Sequence, residues 1–229
     1  AFGTAAEYIA LPAAQAVKLP DAISFESGAC IGIPAMTAVH AVTLASVGKG
    51  SNVLVAGGAG AVGQYVIQFA KAAGATVLTT VSSAEKAAAA REAGADHTID
   101  YQREDVGERV MELTGKRGAD AVIEMDLAAN AKLIPFVLRP KGSVIVYGTG
   151  AALADLPASF CLTNSIRVQF FLVYELDTLE RERAVNAINR SLEQGTLKNR
   201  LGPTFPLAEI AAAHEAVERG TIGNVIVTM

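Results

Sequence analysis

Residues 52–81 read NVLVAGGAGAVGQYVIQFAKAAGATVLTTV. An apolar run ending in glycines, a helical stretch from Ala61 to Ala73 closed by Gly74, and a second apolar run give strand, helix, strand. Strands joined through a helix lie parallel, and parallel strands that are apolar throughout need helices on both faces. The alternation continues: an Ala-rich helix capped by Ser83 and ended by Gly94, a short strand HTID, and an amphipathic helix over 104–113. ADAVIEM, a helix over 127–138, GSVIVYG and RVQFFLVY then supply a fourth strand, its crossover, and a fifth and sixth strand. The expected fold is α/β: a doubly wound parallel sheet of six strands with right-handed crossovers, in the order 3-2-1-4-5-6.

Gly57, Gly60 and Gly63 stand between the first strand and its helix. In that place the first glycine makes the tight turn, the second lets backbone approach a pyrophosphate, and the third lets helix and strand pack closely. The helix N-terminus adds free N–H groups and positive partial charge for phosphates. A turn needed only for chain reversal is the alternative. A P-loop is excluded, because Gln64 and Tyr65 follow Gly63 where Lys and Ser or Thr would stand. A short-chain dehydrogenase is excluded as well, because none of the five tyrosines has a lysine four residues on.

An NAD enzyme places an acidic residue on the ribose 2′-hydroxyl at the end of the second strand. Here the chain reads Val81, Ser82, Ser83, Ala84, Glu85, Lys86. Ser82 and Lys86 suit a 2′-phosphate, which a carboxylate at the strand end would repel, so NADPH is the expected cofactor. Tyr101, after the third strand, stands where it can cover the adenosine. The alternative makes both serines helix caps and Lys86 a solvated charge.

Composition narrows the function further. Of 229 residues, 51% are hydrophobic but only 6% aromatic, and 19 basic against 23 acidic residues leave a net charge of −4. With no long run of like charge, neither nucleic acid nor an anionic membrane surface is an expected partner, and a small molecule is. Residues 27–48 and 50–70 lack Lys, Arg, Asp and Glu, yet their Gly, Ala, Ser and Thr content argues against membrane spans. Cys30 and Cys161 form no close-spaced pair, which suits a reducing, cytoplasmic setting. The three histidines stand far apart, and Glu218 four residues after His214 is too little for a converging ligand set, so no metal is expected. Ala1 begins the chain without a basic segment ahead of an apolar one, so no signal peptide is expected. The missing initiator Met suits a fragment.

The ends depart from the repeat. Residues 1–24, broken by Pro12 and Pro20, read as the end of a β domain. A helix over 33–45 leads into the first strand. After Tyr174 come a charged helix over 178–194, a turn at Gly202 and Pro203, a helix over 207–218 and a last strand NVIVTM.

The order of GTAAEYIALPAAQAVKLPDAISFESGA, GIPAMTAVHAV, the glycine segment, AGADHTIDY, VIEM, GSVIVYG and FPLAEIAAAHEAVERGTIGNVIVTM resembles the medium-chain dehydrogenase/reductase superfamily, in its zinc-free quinone oxidoreductase (zeta-crystallin-like) branch. The resemblance covers nearly the whole chain and implies a Rossmann domain over 25–175. Residues 1–24 would be the end of a GroES-like catalytic domain, otherwise missing, to which 176–229 return. It places Thr37 near the cofactor, Gly60, Ala61 and Val62 on the pyrophosphate, and Ser82, Lys86 and Tyr101 around the 2′-phosphate. Gly148, Thr149, Phe171 and Val173 would lie near the nicotinamide. Asn224 stands where many relatives carry Lys in a closing G-K. Gly32 falls where zinc members carry a catalytic Cys, and their cysteine-rich lobe is absent. The implied activity is hydride transfer from NADPH to a quinone or an activated alkene, an enone or enoyl acceptor, without zinc and with no side chain singled out as catalytic. A non-catalytic NADPH-binding or structural module is the alternative. The sixth strand, at a sheet edge with Phe170, Phe171 and Tyr174, is the expected seam of a homodimer; cover by the helix over 178–194 is the other way to protect it.

Overall fold

The computed structural model describes residues 5–229. Residues 1–4, the start of the segment assigned to a β domain, lie outside the described residues. Over 5–24 the only regular element is a 3-10 turn, Ala13–Gln15, and no strand forms among them.

Helix α1 runs Phe25–Ala45, eight residues longer at its start than the sequence predicts. Ser24 caps it, its hydroxyl accepting from the Ser27 N–H at 3.2 Å, and Pro34 lies inside it. Proline cannot donate to the carbonyl four residues back, here that of Cys30. The Tyr65 hydroxyl reaches toward that carbonyl at 3.4 Å while lying 2.8 Å from Asn199 Oδ1. By length and composition α1 could cross a membrane, but Ile31, Ala35, Ala38, Val39 and Ala41 are buried in the core.

The chain continues through β1 (Asn52–Val55), α2 (Gly63–Ala72), β2 (Thr76–Val81), α3 (Ala84–Glu92), β3 (His97–Asp100), α4 (Val106–Leu113) and β4 (Ala119–Glu124). It then passes α5 (Leu127–Asn130), a 3-10 turn, α6 (Ile134–Val137), β5 (Leu138–Val146), α7 (Ala158–Thr163) and β6 (Arg167–Phe170). The six strands are parallel, in the order β3-β2-β1-β4-β5-β6, as the sequence predicts. Side chains of alternate residues pack into two layers. Val53, Val55, Val77, Ala121, Ile123 and Ile145 meet α1, α2 and α3, while Leu54, Leu78, Val122 and Val144 meet α4, α5 and α6.

Three further elements differ from the sequence reading. The helix over 127–138 is broken at a 3-10 turn, Ala131–Leu133, and restarts with Pro135 in its first turn, where the missing N–H costs nothing. The sixth strand stops at Phe170, because its partner β5 ends at Val146; residues 173–175 form a 3-10 turn. After α8 (Thr178–Glu193), the supposed turn at Gly202 and Pro203 lies within a strand, β7 (Leu201–Pro206). Beyond α9 (Ile210–Glu218), β8 (Asn224–Thr228) pairs with it in a parallel two-stranded sheet. The register shifts between Leu201 and Thr204, which accommodates a proline that cannot donate.

Candidate functional site

The site lies where β1 and β4, neighbours in the sheet, send their crossovers in opposite directions, opening a crevice at their carboxyl ends. Gly57 turns the chain out of β1 with φ +67°, a conformation side chains rarely adopt. Two threonines of β2 anchor the turn. Thr80 Oγ1 accepts from the Gly57 N–H at 3.1 Å, and Thr79 Oγ1 donates to the Val55 carbonyl at 2.7 Å. A Cβ on Gly63 would fall onto the Gly57 carbonyl and lie 2.8 Å from Gly58 Cα, so only glycine lets α2 start this close to β1. Gly60, Ala61 and Val62 form the rim of the turn, Gly60 and Ala61 exposed and Val62 half-buried. The Gln64 N–H donates to the Gly60 carbonyl at 3.1 Å and the Tyr65 and Val66 N–H groups to that of Val62 at 3.0 Å, so the turn is wound into the start of α2, whose positive helix end lies at this rim.

At the end of β2, Lys86 Nζ donates to Ser82 Oγ at 3.1 Å, while Ser83 caps α3 by accepting from the Lys86 N–H at 3.2 Å. The two readings of this segment divide between its serines: Ser83 is the cap, and Ser82 with Lys86 makes a polar pair that presents an ammonium. A Cβ on Gly220 would lie 3.7 Å from Lys86 Nζ, so the turn between α9 and β8 closes on this corner. Tyr101 follows β3, its N–H on the Val81 carbonyl at 3.1 Å and the residue 54% exposed.

Tyr101 and Gly57 line a cavity of about 620 Å³ together with Glu124, Met125 and Asp126. Glu124 is buried, and its Oε1 accepts from the Asp126 N–H at 2.6 Å and Asn130 Nδ2 at 2.9 Å. Burial pushes its carboxyl above the usual range, against those hydrogen bonds. Asp126 caps α5 and accepts from the Gly150 N–H at 2.7 Å, tying the β4 end to the loop after β5. These carboxylates build the crevice wall. Gly148 is held against the Met125 carbonyl, where a Cβ has no room, and exposed Thr149 donates to the Ala151 carbonyl at 2.9 Å.

The remaining candidates stand on other elements. Thr37 is buried on α1, donating to the Ile33 carbonyl at 2.8 Å. Phe171 is half-buried, edge-on to His40 with centroids 4.8 Å apart, and half-buried Val173 opens the 3-10 turn. Asn224 begins β8, its Nδ2 donating to the Arg200 carbonyl at 3.3 Å inside the small sheet. Gly32 has nothing within 4 Å of its Cβ position. Among the described residues no three His, Cys, Asp or Glu side chains gather as a metal-ligand set.

Sequence reasoning passed over Gly58, Thr79, Thr80 and Met125. Gly58 shows in the doubled glycine, and a Cβ there would collide with Thr79 Oγ1. The threonines and Met125 carry no local signal, since their role comes from strand neighbours far along the chain.

A six-stranded sheet in this order, with a glycine turn at its switch point, is a Rossmann fold. The family model described as zinc-binding dehydrogenase matches residues 61–190. A 2-haloacrylate reductase of Burkholderia sp is 31% identical over 94% of this chain and 67% of its own length. The structure of a quinone oxidoreductase from Thermus thermophilus, also solved in complex with NADPH, superposes with a TM-score of 0.88 at 30% identity, over 99% of this chain and 74% of that one. An NAD-dependent alcohol dehydrogenase superposes at 0.90 with 30% identity, over 99% and 65%. The chain belongs to this family, the medium-chain dehydrogenase/reductase superfamily, and to its quinone oxidoreductase-like members. It spans about two thirds of the length of the curated relatives it matches.

Proposed function

We propose that the chain is the nucleotide-binding part of an NADPH-dependent oxidoreductase that passes hydride to a quinone or an activated alkene without zinc. The observation that carries this reading is the end of β2, where Ser82 and Lys86 replace the carboxylate that would favour NAD. The residues fit the cofactor. The glycine cradle leaves room for a pyrophosphate, the α2 N-terminus meets its charge, Ser82 and Lys86 meet the 2′-phosphate, and Tyr101 covers the adenosine.

Bound NADPH supplies the hydride at C4 of its nicotinamide. The chain's own part is positional. Gly148 and Thr149 bound the nicotinamide end, Phe171 and Val173 keep that side apolar, and fixing distance and orientation lowers the barrier. Zinc would polarise a carbonyl or alcohol oxygen; acceptors already electron-poor need no such help. Residues 25–175 act as the cofactor domain, with 1–24 and 176–229 belonging to the side that closes over substrate. The expected setting is the cytoplasm, without membrane or nucleic acid.

Titrating NADPH and NADH by nicotinamide fluorescence tests the cofactor. NADPH is expected to bind at least about tenfold more tightly, about 1.4 kcal/mol, and Lys86→Glu to abolish the difference. Equal affinities would reject the assignment. Elemental analysis after dialysis is expected to find no zinc, and one zinc per chain would overturn that part of the reading.

A further inference from the structure

We propose that Met125 is an oxidation site: a peroxide converts its thioether to the sulfoxide, and the modified side chain shuts NADPH out of the crevice. The consequence for NADPH rests on the cofactor reading above. Met125 directly follows β4 at the switch point, wedged between two glycines, Gly57 and Gly148, in the turns after β1 and β5. Its Sδ packs on Gly57, 2.5 Å from where a Cβ would stand, and its carbonyl lies against Gly148. It lines the cavity with Tyr101 and Asp126 and is 45% exposed, so peroxide reaches it from the side a cofactor would occupy. The other methionines lack this combination. Met36 packs against the core, Met111 lines a groove with Pro135 and Phe136, and Met229 is exposed at the chain end.

The chemistry balances with hydrogen peroxide as the named oxidant. A sulfur lone pair attacks one peroxide oxygen, the O–O bond breaks, and sulfur is oxidised by two electrons to the sulfoxide. The other oxygen leaves as water. A flexible apolar side chain becomes a polar one with a strong acceptor and no proton to donate. That acceptor would add bulk and negative partial charge against Gly57, beside the carboxylates of Glu124 and Asp126, where a phosphate would have to approach the turn. Sulfoxide reductases reverse the change.

The test treats the chain with hydrogen peroxide, maps methionine oxidation by peptide mass, and titrates NADPH before and after. Met125 is expected to gain one oxygen at a dose that oxidises Met229, more slowly when NADPH is present. NADPH affinity is expected to fall at least about tenfold and to return after methionine sulfoxide reductase. In Met125→Leu, whatever its starting affinity, the same dose is expected to change nothing. Met125 left unmodified, an oxidised chain that binds NADPH as before, or equal loss in Met125→Leu would each overturn the proposal. If the untreated chain fails to bind NADPH, the cofactor reading falls and the proposed consequence with it. If untreated and oxidised chains bind equally, only the oxidation proposal falls.

Discussion

A missing Cβ has opposite meanings at two glycines of this chain. At Gly63 the Cβ position runs into the Gly57 carbonyl, so a side chain there would push α2 away from β1. At Gly32, inside α1 and open, it meets nothing within 4 Å. Gly63→Ala is therefore expected to destabilise by about 1–3 kcal/mol, the range for overpacking a tight site, and to weaken NADPH binding. Gly32→Ala is expected to stabilise by about 0.5–1 kcal/mol, because alanine loses less backbone freedom in a helix. Urea unfolding of the two variants checks both signs, and a stable Gly63→Ala would show that the turn has slack. Spacing revealed Gly57, Gly60 and Gly63 because the strand-to-helix turn is local. It left the two threonines hidden because their hydrogen bonds cross from β2 to β1 and the turn that follows it.

His40 ties three elements together: it sits on α1, meets Phe171 beyond β6 edge-on, and faces Glu180 of α8 at 3.9 Å. Burial pushes its pKa below the ordinary value, while Glu180 and Asp177 pull the other way without restoring it. The folded chain therefore binds fewer protons here than the unfolded one, and this contribution to stability, full above about pH 6.5, declines as pH falls toward the folded value. Two carboxylates set a second, lower window. Burial raises Asp96 and Asp120, but Lys71 and the Val77 N–H outweigh it at Asp96, and the Asn52 N–H with Arg139 and Arg117 outweigh it at Asp120. Both end below the usual range, so their contribution is present above about pH 3.9 and lost below it. Melting scans are expected to show Tm falling from pH 7 to 5.5, flattened in His40→Leu, with a further drop at pH 3–4 that this variant keeps. An unchanged slope in His40→Leu would exclude the histidine as its source. At this scale the sequence carried the six strands, because apolar runs between glycines announce themselves, but lost β7. Its register shift and proline look like a turn until β8 is seen beside it.

At the scale of the whole molecule, β6 pairs with β5 on one side and ends the sheet on the other. Beside that free edge Phe170 is 59% exposed, Leu172 54% and Tyr174 71%. Helix α8, the other candidate cover, commits Ala184, Ile188 and Leu192 to the core layer that holds α1. An apolar edge with unpaired N–H and carbonyl groups invites another strand. A second copy meeting it across a two-fold axis would run antiparallel, satisfy those groups and join the two sheets into one. We expect such a homodimer, and exposed Phe170 and Leu172 are its probes rather than Phe171. Phe171 packs inward on His40, so a charge there would disturb the fold as well as the seam. Phe170→Lys combined with Leu172→Lys places two ammonium groups per copy at the edge, opposite their own images, where like charges repel and cannot be buried unpaired. Light scattering is expected to give about twice the 23.7 kDa chain mass for the unaltered protein and a single chain mass for the double variant, with the same circular dichroism. A monomer for the unaltered chain at micromolar concentration, or a dimer that survives both lysines, would place the seam elsewhere.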